Sequence, residues 1–151
     1  MAYIGQNGIA LDKKEGDKKT PEGIFDLGIA FGMNATIDNN KIEYKNIDEY
    51  LYWVDDINSK YYNQLVDSRN INKDWKSAEH LIEYPNEYEY VIEIKSNPEN
   101  KKGKGSAVFL HCSNSKATSG CVAIDKKTMQ ELMNIIDGNA IIIIQGKNKK
   151  E

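Results

Sequence analysis

The chain has 151 residues, 40% hydrophobic and 28% charged, a balance that fits one globular domain over residues 1–151. A net charge of −3 and a pI of about 5.5 exclude a global field that would gather nucleic acid. Arg69 is the single arginine among 20 basic residues, so a phosphate- or base-reading surface is disfavoured. No apolar run approaches the roughly 20 residues of a membrane span.

The segment from Tyr3 to Gly32 is dense in glycine, with short apolar stretches and a turn preset by Pro21. It reads as short strands joined by tight turns. Residues 34–80 are polar, rich in Asn and studded with Tyr44, Tyr50, Tyr52, Trp53, Tyr61, Tyr62 and Trp75. No strict period runs through them, and short helices and loops over a core are expected in the 45–80 region. The aromatic cluster reads mainly as packing, with part of it bordering any cleft as a lid. Asp17, Asp55, Asp56 and Glu79 read as turn or capping carboxylates.

"YEYVIEI" (88–94) alternates as a half-buried strand does, and "SAVFLHC" (106–112) predicts a second, apolar one. Asp125 then predicts an N-cap, with Met129, Leu132, Met133 and Ile136 on one helix face and Gly138 closing it as the C′ residue. "AIIIIQ" (140–145) predicts a buried strand, and residues 147–151 a solvated tail. The expected fold is mainly β, with one clear helix after Cys121.

His111 and Cys121 lie ten positions apart, one ending an apolar strand and the other following Ser119-Gly120. A thiol becomes a nucleophile when an imidazole within reach takes its proton. The backbone N–H groups of Ser119, Gly120 and Cys121 would then converge on a developing oxyanion. Three other readings stand beside this one. Cys121 is a small buried hydrophobe, or it joins His80, His111 and Cys112 around a metal, or it pairs with Cys112 as a redox switch. The spacing matches no zinc ribbon or finger, and two cysteines do not settle the redox compartment.

"HCSNSKATSGCVAI" (111–124), together with "EGDKKTPEGIFDLGIAFG" (15–32), resembles the catalytic domain of the L,D-transpeptidase (YkuD-type) family, whose enzymes remodel bacterial peptidoglycan. The family's Gly-Asp-x-x-Thr-Pro-x-Gly-x-Phe/Tyr stretch is matched by Gly16 to Phe25. "SAEHL" (77–81) and "GKGSAVFLH" (103–111) are similar to one branch of it, and the likeness runs from about Gly5 to Ile144. Ser119 stands where the commoner pattern has His, and Ala123 where it has Arg or Asn. The family's opening strands are expected to be missing, since the chain starts almost at Gly5.

The resemblance implies a β-sandwich or barrel, with Cys121 as nucleophile and His111 as general base, then acid. It implies backbone donors at Ser119, Gly120 and Cys121, and a main-chain carbonyl at Cys112 that orients the imidazole. Thr118 would bond the nucleophile turn or touch substrate. Arg69 would clamp a stem-peptide carboxylate or remain a surface charge. No cofactor or metal is implied. The implied partners are peptidoglycan stem peptides, met by a monomer at the cell wall after export by a signal that this chain does not show, since Met1 to Gly5 lacks a signal's basic and apolar regions. The implied reaction releases D-alanine from a tetrapeptide stem and passes the acyl group to the third-residue amine of a neighbour. An L,D-carboxypeptidase and a non-catalytic wall-binding domain are the alternatives.

Overall fold

A computed structural model describes residues 1–147, so most of the expected tail lies outside the described residues. The strands run β1 (Ala2–Tyr3), β2 (Ile9–Ala10), β3 (Thr20–Pro21), β4 (Gly23–Gly32), β5 (Tyr44–Asn46), β6 (Leu51–Val54), β7 (Leu65–Asp67) and β8 (Ala78–His80). After a 3-10 turn at Leu81–Glu83 come β9 (Val91–Ile94), β10 (Phe109–Cys112), β11 (Val122–Ile124), helix α1 (Lys126–Ile135) and β12 (Ile141–Ile144). Among the described residues no helix is long and apolar enough to cross a membrane.

The large sheet has the order β1-β11-β10-β9-β4-β12, with β5 also on β4. Its β10–β11 pair is parallel, and the register sets His111 opposite Ala123. Alternation along β10 sends Leu110 and Cys112 to one face and Phe109 and His111 to the other. The first face packs with Ile92, Ile94 and Val122 beneath Met129 and Met133 of α1. The second meets Trp53, Leu51 and Leu81, where Phe31, Phe109 and Trp53 stack edge and face. The sheet is thus sandwiched between one helix and a smaller sheet, and His111 stands on the smaller sheet's side.

That smaller sheet, of order β7-β6-β8, corrects the expectation of short helices in the 45–80 region. Its strands are three or four residues long, too short to display a period, and their β-forming Tyr52, Trp53, Val54 and Val66 find partners only through tertiary pairing. Asn63, left-handed at φ 58°, turns the chain back between β6 and β7.

Three more expectations change. The strand predicted over 106–112 begins only at Phe109, because Ala107 takes a left-handed conformation at φ 51°. Asp125 does cap α1, accepting the Thr128 N–H at 3.0 Å, but Gly138 does not close it. The closing group is the Asn39 amide, which donates to the carbonyls of Met133 and Ile136 at 2.8 Å each. Finally, β12 is an edge strand rather than a buried one, and its Ile141 and Ile143 are 54% and 64% exposed.

Candidate active site

The segment before β11 is built as a knot of hydrogen bonds. Thr118 Oγ1 accepts the Gly120 N–H at 3.1 Å and donates to the Cys121 carbonyl at 2.6 Å. Gly120 has φ 145°, and a Cβ there would sit 3.0 Å from the Lys19 carbonyl, so no larger residue fits without strain. From below, fully buried Thr20 donates to the Gly120 carbonyl at 2.8 Å and accepts the Gly5 N–H at 2.8 Å. Gly5 in turn lies so close to Lys18 that a Cβ would meet its carbonyl at 2.5 Å. The Thr20-Pro21 step read in the sequence as a turn is therefore the floor under the Cys121 segment.

Cys121 is partly buried, against the Phe109 side of the large sheet. Its Sγ accepts the Phe109 N–H at 3.4 Å and donates to the Ala107 carbonyl at 3.2 Å. The left-handed turn at Ala107 presents that carbonyl, and the Ala107 N–H is held by Asn63 Oδ1 at 3.1 Å. Burial first, then the negative charge of Glu79, push the Cys121 thiol up to about 12, against the Phe109 N–H and Lys13. At neutral pH it is a thiol.

His111 is 8% exposed, and Tyr88 lies edge-on to its ring with centroids 5.5 Å apart. Its Nδ1 is 2.8 Å from the Cys112 carbonyl, which can only accept, so Nδ1 carries the proton and Nε2 is the basic nitrogen. Burial lowers the imidazole below its ordinary 6.5, opposed by the Cys112 carbonyl and Glu87. The ring is neutral at pH 7, as a base must be.

Two hollows meet at the thiol. One, of about 260 Å³, is lined by His111, Cys121, Tyr88, Glu87, Asn114 and Thr118 among others. The second, of about 270 Å³, has Cys121, Ala107, Ser106, Lys13, Glu15 and Asp55 in its wall. Ser119, Cys121 and Glu79 belong to both. His111, Cys121, Ser119 and Thr118 are thus brought together around one opening.

Several expected parts lie elsewhere. The Gly120 N–H is turned to Thr118, which removes it as an oxyanion donor. Arg69 is held in the small sheet by Asp67 at 2.6 Å and Asp48 at 3.2 Å, lies over the Tyr50 ring and lines neither hollow. His80 lies on the outer face of the small sheet, stacked on Tyr52. Cys112 points into the helix-side core, so a bridge to Cys121 would have to pass through the sheet. The 44–75 aromatics form no lid, and Tyr84 and Tyr88 border the cleft instead. Among the described residues no group of three or more His, Cys, Asp or Glu is placed to hold a metal.

Two residues at the site were hidden in the sequence. Lys13, paired with Asp17, lines the second hollow and favours a thiolate at Cys121. Glu79 reads as a capping carboxylate, but its register opposite Trp53 turns it inward between the sheets. Asp17 and Asp56 do act as expected, bonding the backbone N–H groups of Lys14 and Lys19, and of Asn58 and Lys76.

The family model for the L,D-transpeptidase catalytic domain, YkuD, matches residues 2–144. No curated protein and no solved structure matches the chain at a significant level. With nearly its whole length accounted for by one model, and with the mainly β fold that this domain requires, the chain belongs to the L,D-transpeptidase (YkuD) family.

Proposed function

We propose that the protein is a cysteine-dependent peptidoglycan L,D-transpeptidase, with Cys121 as nucleophile and His111 as the base that activates it. The observation that carries this reading is the shared hollow. The Cys121 thiol and the His111 ring lie on one face of the sheet, and the Cys112 carbonyl pins the ring so that Nε2 is left basic. Thiol and imidazole are both neutral at rest. Proton transfer from Sγ to Nε2 therefore accompanies attack on the carbonyl between the third stem residue and D-alanine. The N–H groups of Ser119 and Cys121 face the developing oxyanion. His111 then gives its proton to the leaving D-alanine nitrogen, and a thioester remains on Cys121. An amine of a second stem resolves the thioester and restores the thiol. Such a substrate places the protein at the cell wall.

Mass spectrometry of the protein mixed with a tetrapeptide stem tests the reading. We expect an acyl adduct on Cys121, release of D-alanine and a cross-linked product, with adduct and release both absent in Cys121→Ala. His111→Ala should acylate roughly 10²–10⁴-fold more slowly near neutral pH. D-alanine release without cross-linking would identify a carboxypeptidase. Binding of stem peptides with no adduct would identify a wall-binding domain.

A further inference from the structure

Glu79 stands at the junction of the two hollows beside the nucleophile, and nothing in the acylation half of the reaction uses it. Its charge even opposes that half, since it disfavours the Cys121 thiolate. Among the described residues no Lys or Arg pairs with it; its Oε2 accepts the Tyr88 hydroxyl, and its Oε1 has no partner and is not sealed from solvent. Of the other carboxylates in the walls, Glu15 has both oxygens held, by Tyr62 and Ser106, while Asp55 and Glu87 each commit one oxygen, to Ser77 and to Asn114. Glu79 alone among them lines both hollows. The hollow that contains His111 carries Glu79 and Glu87 and no Lys or Arg, so it favours a cation.

We propose that Glu79 receives the ammonium of the attacking amine and takes its first proton, a role that rests on the transpeptidase reading above. An alkyl amine is protonated at neutral pH and has no lone pair to attack with. The ammonium gives one proton to Glu79 Oε1, which frees the lone pair. Nitrogen adds to the thioester carbonyl, the C–S bond breaks as the C–N bond stays, and the second surplus proton passes through His111 to the Cys121 sulfur. Glu79 then returns its proton to solvent. Burial, with Asp55 and Glu15 nearby and against the Tyr88 bond, raises the Glu79 carboxyl to about 7, a value suited to such a base. The titratable groups that face it are Tyr88, Tyr84, Asp55, Glu15, Glu87, Cys121 and His111, with Lys13 and Lys18 also in the wall of the second hollow.

The test separates the two half-reactions. A tetrapeptide stem acylates the enzyme, and Nα-acetyl-lysinamide then serves as the amine, with each step followed by mass spectrometry. Glu79→Gln keeps an acceptor for Tyr88 and removes the base. In this variant the Cys121 adduct should accumulate, with aminolysis slowed roughly 10²–10⁴-fold at pH 7. The defect should shrink towards pH 10, where the free amine is supplied by solvent. Tyr88→Phe, which breaks the same hydrogen bond but leaves the carboxylate, should not reproduce this pH-dependent loss. Aminolysis by Glu79→Gln within threefold of the native rate, or a loss that does not change with pH, would overturn the proposal. So would a native adduct that water alone resolves. If the native protein forms no adduct at all, the transpeptidase reading falls and takes this role with it, which the first measurement shows before Glu79 is varied.

Discussion

The Thr20 hydroxyl donates to the Gly120 carbonyl at 2.8 Å across 100 residues of chain, and accepts the Gly5 N–H at the same distance. One buried oxygen thereby ties the N-terminal strands to the turn that carries Cys121. Thr20→Val keeps the shape and orphans both partners, so it should cost about 1–3 kcal/mol of stability. It should also slow acylation roughly tenfold, a barrier increase of about 1.4 kcal/mol, as the turn loosens. Thr20→Ser, which retains the oxygen, should recover most of the rate. Denaturant midpoints and adduct formation measure the two effects.

The pH dependence of acylation follows from His111. The folded ring binds its proton only below the ordinary 6.5, so the rate should stay high down to that value and decline at lower pH. The same shift acts on stability. As the pH falls below 6.5, the unfolded chain takes up the proton first, and stability is lost until the folded ring also protonates. A rate that declines from well above pH 7 would show that the ring is not held neutral. Stopped-flow acylation between pH 5 and 8 distinguishes the outcomes.

Glu79 bends the stability curve the other way. Its carboxyl ionises near 4.5 in the unfolded chain and at about 7 in the folded protein. Between those values the folded state holds the extra proton, so stability declines as the pH rises through the window. Glu79→Gln lacks this loss. Its Tm should gain on that of the native protein from pH 5 to pH 8, and a constant difference would show that the carboxyl is not desolvated.

Oxidation should not join the two cysteines. Cys112 is opposite Ile124, three residues beyond Cys121, so their Cα atoms are separated by about 10 Å along the strands. A disulfide needs about 7 Å or less, with side chains on a common side. Peptide maps of peroxide-treated protein should show Cys121 oxidised alone, with Cys112 shielded beneath α1. A Cys112–Cys121 peptide would require the sheet to open.

The candidate site is legible where chemistry is written in contiguous residues. His111, Thr118, Ser119 and Cys121 were readable from one strand and one turn, and Asp125 from its position before a helical face. What escaped depends on pairing across space. Glu79 looks like any surface carboxylate until β8 is registered against Trp53, which sends it inward and His80 outward. The helix stop at Asn39 and the floor at Thr20 are supplied from about 100 residues away, and local propensity carries no trace of them. The sequence offers the Gly120 N–H as an oxyanion donor because nothing in it says that Thr118 occupies that group.

During synthesis, β1 emerges long before its partner, since Ala2 and Tyr3 pair with Ile124 and Ala123. Gly5 waits likewise for Thr118. Contacts of such separation close slowly, because the entropy of a long loop is lost before any of them forms. A chain that stops before Thr118 has no seat for β1 or Gly5, and its Thr20 floor has nothing to carry. The Cys121 segment thus takes its final shape only when strands about 120 residues apart have met.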